Sequence, residues 1–248
     1  MRFKLISCEV LFREMCDACA HSPHQVDVEF LPKGLHDLGG KAMSIRLQEV
    51  VDRTPKGVCD AILLGYGLCG NGLDGLTARQ TPLVLPRAHD CIALLMGSRD
   101  RYQQYFDANP GTFYRSTGWL ERGKGLQQLT HHTIGLEESL DALIRKYGDD
   151  NGRYLYGEMT RYRARYEKLT FIETGLETDG RFVAEAAAEA KEKGWAFERL
   201  PGDLAWLRNL VDGEWSEAEF VVAKPGQKIT ASHDGGIVSI QSGVLHDK

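Results

Sequence analysis

Four short strand-like runs, the first three separated by helical spacings, limit most tightly how this chain folds. They are FKLIS at residues 3–7, VDVEFL at 26–31, AILL at 61–64 and LVL at 83–85. Helical periodicity fills 10–20 and 41–51, and in the second stretch Met43, Leu47, Val50 and Val51 recur on one face. AILL and LVL are unbroken apolar runs, as buried strands of a parallel sheet should be, while VDVEFL alternates as a strand. The expected fold class is α/β. A further helix is expected over 92–106, closed by Asp107, Asn109, Pro110 and Gly111.

The pattern lapses after Gly111. GTFYRSTGWLERGKG is rich in turn formers and aromatics, and helical spacing follows at 136–147 and 156–169. The RYRARYEK run reads as a solvated helix face with snorkelling arginines, and the pair His131-His132 as a surface or capping feature. Then the α/β pattern restarts: strand at 169–173, Ala/Glu-rich helix at 180–193, strand at 196–200, helix at 204–211, strand at 220–223. VEFLPKGLHDL is echoed by FERLPGDLAWL, and AILLGYG by FVVAKPG. The expectation is two similar parallel-sheet βαβ halves, 1–111 and 169–248, joined by a helical, aromatic-rich insert at 112–168.

Composition narrows the function classes. With 248 residues, 42% of them hydrophobic, the chain can bury a substantial core. Its net charge of −5, without a basic stripe, speaks against nucleic acid or a membrane surface as partner. The apolar runs fall well short of the ~20 residues that a spanning helix needs. MRFKLISCEV runs straight into a strand with no signal-peptide core, so the expected location is cytoplasmic. In a reducing compartment the six cysteines stay thiols, as buried small hydrophobes or as ligands.

Three of those cysteines follow three different expected strands: Cys8 in LISCEV, Cys69 in LLGYGLCGNG and Cys91 in LVLPRAHDC. Ligands of parallel α/β sheets bind outside the carboxyl ends of the strands, so the three thiols are candidates for one metal site. Cys69 sits among glycines 65, 67, 70 and 72, which permit positive φ and close backbone approach; Gly67 and Asn71 are candidate substrate contacts. In PRAHDC, His89 and Asp90 are candidates for acid/base work and Arg87 for a carboxylate clamp, with Glu9 beside Cys8 as a further acid. Thr112, Tyr114, Thr117 and Trp119 are expected in a loop that covers the site. Cys16 and Cys19 form a C-x-x-C one helical turn apart and read as structural, with Cys16 on the core face. Cys59 precedes its strand at the wrong edge. His21, His24 and His36 show no useful spacing.

The stretches CEVL, FLPKGLHD, AILLGYGLCGNGL, PLVLPRAHDCIALLMGS and PGTFYRSTGWLE together resemble a bacterial and archaeal family known as domain of unknown function 1638. Members often lie near genes for corrinoid-dependent methyltransferases, which implies a link to one-carbon metabolism. The arrangement of three separated cysteines is also similar to quinolinate synthase, the diphthamide enzymes and thiouracil desulfidases. In those, three cysteines hold a [4Fe–4S] cluster with one iron open to substrate. The expected function is a metalloenzyme, a lyase or transferase, acting on a small molecule. Cys8, Cys69 and Cys91 would bind a [4Fe–4S] cluster, or zinc as the alternative. Two other readings stand beside it: an accessory protein binding a corrinoid protein or methyltransferase, and a metal-free enzyme using His89 and Asp90.

Overall fold

The structure is a computed structural model and describes residues 1–122, 140–163, 165–232 and 235–242. The expected pair His131-His132 lies outside these residues. β1 (Arg2–Cys8) leads through a 3-10 turn into α1 (Phe12–His21) and β2 (Gln25–Leu31). A second 3-10 stretch, Lys33–Leu38, and α2 (Gly40–Asp52) lead to β3 (Ala61–Gly65), and β4 (Leu83–Pro86) follows. These strands are parallel neighbours in the order β2-β1-β3-β4. Every residue of β3 and β4 is buried, which is why their sequences are continuously apolar and not alternating. The chain steps from β1 outward to β2, then crosses back over β1 to β3. Right-handed crossovers in opposite directions put α1 and α2 on opposite faces. They also open a crevice at the carboxyl ends of β1 and β3, where the direction of winding reverses.

The single helix expected over 92–106 is two helices, α3 (Cys91–Met96) and α4 (Arg99–Ala108). Gly97, at φ 74°, ends the first in a left-handed cap, and the Ser98 hydroxyl accepts the Arg101 N–H to start the second. Apolar periodicity runs through the break, so the paired caps are its only sequence signal.

The segment after Gly111 is no covering loop. It forms β5 (Thr112–Ser116) and α5 (Thr117–Glu121). Beyond it come α6 (Leu140–Tyr147), α7 (Asp149–Arg163), β6 (Lys168–Glu173), α8 (Arg181–Lys193) and β7 (Ala196–Pro201). β5, β6 and β7 make a second parallel sheet with a small core of its own: Leu169, Phe171, Phe182, Ala186 and Ala190. The chain then returns. α9 (Ala205–Asp212) packs on α1, and β8 (Phe220–Ala223) pairs antiparallel with β4. β9 (Gln227–Ala231) and β10 (Val238–Ser242) close as an antiparallel pair. The α/β class is as expected, but two similar halves in tandem are not what forms. One strand of the expected insert joins the second sheet, and one strand of the expected second half completes the first.

The two sheets meet through α1 and α5. Arg13 forms a bidentate pair with Glu121, both bonds 2.9 Å, and Gly118 lies so close to the Val10 carbonyl that no side chain fits there. Glu14 is 1% exposed; its Oε1 accepts the Thr174 hydroxyl at 3.0 Å, and its Oε2 has no partner among the described residues. Burial, with the charge of Glu177 adding to it, pushes the Glu14 carboxyl up to about 6. The folded state thus holds this proton to a higher pH than the unfolded chain. The stability it supplies is complete below the ordinary glutamate range and is lost as pH rises through about 6. The expected loss is roughly 2 kcal/mol. Glu14→Gln should abolish that slope, which urea unfolding on either side of the window will measure.

Candidate functional site

Cys8 is the last residue of β1 and is buried, with its Sγ 3.8 Å from His36 Nε2. The parallel pairing sets Cys8 opposite Leu31, so the turn after β2 arrives beside it carrying Lys33 and His36. Burial pushes the Cys8 thiol up to about 12. It also lowers the His36 imidazole, and Lys33 adds to that.

Cys69 and Cys91 are brought together by a backbone zip. The Leu68 N–H donates to the Ala88 carbonyl and the Cys69 N–H to the His89 carbonyl, both at 2.8 Å. A Cβ on Gly67 would stand 2.6 Å from Asp90 Cα, so this approach requires glycine. Cys69 itself is half-buried and held at φ 50°, an uncommon conformation for a side-chain-bearing residue. Cys91 opens α3, buried, and accepts a hydrogen bond from Trp119 Nε1 at 3.3 Å. Both thiols are pushed up, by burial first. After it, Cys8 and Asp90 act on Cys69, and Asp90, Cys69 and Cys8 act on Cys91. All three cysteines lie past the carboxyl ends of neighbouring strands of the first sheet.

Asp90 serves two partners. Its Oδ1 caps α3 by accepting the Ala93 N–H at 3.0 Å, and its Oδ2 accepts the Tyr102 hydroxyl at 3.2 Å. His89 is exposed at the rim, its ring 6.4 Å from that of Tyr102. Trp119 lies over the edge from the second sheet, with the Lys33 ammonium 4.7 Å from its ring and the His36 ring 6.5 Å away. Tyr114 is half-exposed as a residue, but its hydroxyl is buried without a partner among the described residues; Tyr105, then Asp90, are the charges that act on it most.

Several expected roles are not realised. Arg87 is no free carboxylate clamp, because its guanidinium donates to the carbonyls of Glu217, Gly236 and Val238 and ties down the C-terminal strands. Glu9 accepts the Lys33 backbone N–H at 2.9 Å and so shapes the turn after β2. Thr112 starts β5 at the far end of its strand and donates to Asn109. Thr117 is buried against Glu177, 3.5 Å away. Asn71 is exposed at φ 67° and serves the turn. Cys16, expected on the core face of α1, is exposed, while Met15 and Ala18 take the core positions.

Sequence reasoning missed Tyr66, His36, Lys33 and Tyr102. Tyr66 follows β3 directly and is 1% exposed, and its hydroxyl has no partner among the described residues. His36 and Lys33 were discoverable from topology. In a sheet ordered β2-β1-β3, the turn after β2 must border the end of β1. An open cleft of about 320 Å³, lined by Val51, Lys56, Ile62, Arg79 and Thr81 among others, lies by the amino end of β3 and holds none of these groups.

Among the described residues, no three His, Cys, Asp or Glu side chains are gathered tightly enough to hold one metal ion. The donor chemistry nevertheless fits a soft-ligand group. Three cysteines reach this edge from separate strands, and ring nitrogens of His36 and Trp119 stand beside two of the sulfurs. The thiols should differ sharply in reactivity. In a labelling time course read by peptide mapping, Cys16 should modify first. Cys8 and Cys91 should modify only as fast as the protein opens, because burial disfavours their thiolates.

No helix among the described residues is long and apolar enough to cross a membrane. No curated protein and no solved structure matches the chain. The family described as "Protein of unknown function (DUF1638)" matches residues 30–211, a span that holds Tyr66, Cys69, Cys91 and Trp119 and begins after Cys8. With most of its length in that match, the chain belongs to the DUF1638 family.

Proposed function

We propose that this protein is a metal-dependent enzyme acting on a small molecule, with Cys8, Cys69 and Cys91 as its three protein ligands. The observation that carries this reading is the placement of the three thiols past the ends of three adjacent parallel strands, with the segments of Cys69 and Cys91 tied together by the Leu68–Ala88 and Cys69–His89 backbone bonds. Free buried cysteines are common, but three converging at the crevice of a parallel sheet is the placement of a site. Thiolates sharing one zinc lie roughly 4 Å apart, whereas a [4Fe–4S] cubane holds them wider. A [4Fe–4S] cluster is the favoured occupant, with zinc as the alternative.

Such a group supplies Lewis acidity at its open fourth position. Around it the chain does the rest. Asp90, fixed by the Ala93 N–H and the Tyr102 hydroxyl, holds a carboxylate near the sulfurs where it can take up or return a proton. His89 stands at the solvent rim, placed to exchange that proton with water. Trp119 and His36 shield the sulfurs from solvent and place ring nitrogens beside them. A role in one-carbon or methyl-group metabolism belongs to the same proposal and rests on the family's resemblance alone.

Anaerobic purification with elemental analysis and an absorption spectrum is the direct test. Wild type should carry iron and sulfide, and Cys69→Ala should lose both together with activity. Asp90→Asn should keep the metal and slow turnover by ~10²–10⁴-fold. Cys16→Ala should change neither. Wild type free of iron and zinc under strict anaerobiosis would sink the metal reading. A metal-loaded protein active only with a corrinoid protein or methyltransferase present would favour the accessory role.

A further inference from the structure

Tyr66 stands among the thiols with a hydroxyl that the protein leaves unused. It follows β3 and precedes Gly67, on the segment that carries Cys69, and it is 1% exposed. The parallel register pairs Ser7 with Gly65, which brings Tyr66 beside Cys8 at the strand ends, and Cys8 and then Cys69 are the charges that act most on its oxygen. Its hydroxyl has no hydrogen-bond partner among the described residues. Buried hydroxyls nearly always find an acceptor, because leaving one unpaired costs free energy. Packing alone gives no reason for the oxygen, since phenylalanine fills the same volume without a stranded donor.

Resting on the metal reading above, we propose that Tyr66 donates its hydroxyl hydrogen bond to a negatively charged acceptor bound at the three-cysteine site. That acceptor has two sources with one chemistry. It is an inorganic sulfide of the bound cluster or an oxygen anion of a substrate at the open position. A phenol suits both, being a neutral donor on a rigid ring that adds no charge to a site already bordered by Glu9 and Asp90. Tyr66 is thus a positioning residue that acts on the bound group and needs no proton transfer of its own.

The test is Tyr66→Phe beside wild type, each reconstituted anaerobically with iron and sulfide. Both should take up the same iron. The metal-free variant should melt at the same temperature as wild type or higher, because it loses an unpaired donor and no contact. If the acceptor is a cluster sulfide, the midpoint potential of the variant should fall with no added ligand. If it is a substrate oxygen, the potential should hold and malonate, followed by its effect on the absorption spectrum, should bind at least about tenfold more weakly. Identical potentials with an identical response to malonate, including no response in either protein, would overturn the inference and leave the metal reading standing. A variant that melts lower or takes up less iron would overturn it too, by giving Tyr66 a structural role. Wild type that takes up no iron removes the metal reading and this inference with it.

Discussion

Two backbone hydrogen bonds hold the candidate site together: Leu68 N–H to the Ala88 carbonyl and Cys69 N–H to the His89 carbonyl. The ladder between β3 and β4 is short, pairing only Ile62 with Leu83 and Leu63 with Val84. The two bonds join the chain again beyond the strand ends, where parallel strands usually splay into separate loops. They place Tyr66, Gly67 and Cys69 against Asp90 and Cys91, and they work only because Gly67 presents no Cβ to the Asp90 backbone. A second close approach supports the far side of the loop, where Gly40 at the start of α2 meets the Gly70 carbonyl. The glycines of GYGLCGNG serve different ends: Gly67 meets the Asp90 backbone, Gly65 makes room for the Ser7 and Met15 side chains and Gly72 for that of Met43, and Gly70 takes up a positive φ.

Burial and charge act against one another at this edge. A thiol in a desolvated setting keeps its proton, and the carboxylate of Asp90 strengthens that preference at both Cys69 and Cys91. Without a bound cation the site is a set of neutral thiols around neutral phenols, with Lys33 supplying the nearby positive charge that favours a thiolate at Cys8. On the proposed metal reading, thiolate ligation would reverse the balance, because a metal would replace the proton and its charge would offset Asp90 and Glu9. The stranded hydroxyl of Tyr66 and the ring nitrogens near Cys8 and Cys91 have the same sense. They are suited to electron-rich sulfur and gain little from a neutral thiol.

The first sheet was legible because β3 and β4 are fully buried and spelled as short unbroken apolar runs while the half-exposed edge strand β2 alternates, and from those strands the carboxyl-edge position of Cys8, Cys69 and Cys91 followed directly. Partner choice among strands was not legible. FVVA at β8 reads like any buried strand, and only tertiary packing decides that it closes the first sheet antiparallel to β4. TFYRS at β5 was hidden for a related reason. Its middle residues are only half-buried and its neighbours are turn formers, so it lacks the apolar run of a central strand. Side-chain roles were hardest of all. Arg87 looked like a substrate clamp because an arginine beside His and Asp invites that reading, yet three main-chain carbonyls from the last third of the chain consume it.

The second sheet gives the site its cover, and the cover is built from an interface, not a mobile loop. α5 starts where β5 ends, and Gly118 lets its backbone settle on the Val10 carbonyl, one turn past Cys8. That contact fixes the direction of Trp119, whose indole then reaches Cys91 while its face meets Lys33. The bidentate Arg13–Glu121 pair, half-buried on both sides, locks the same helix to α1. Access to the sulfurs is thus coupled to the fit between the sheets, and a change at the α1–α5 contact reaches Cys91 through Trp119 without touching a ligand. The buried carboxyl of Glu14 sits in that seam. Its ionisation sets a charge facing Glu177, on the same surface that positions the indole. Among the described residues Glu14 is the one carboxyl group buried this completely, and the fold places it in the seam that also holds α5 and Trp119.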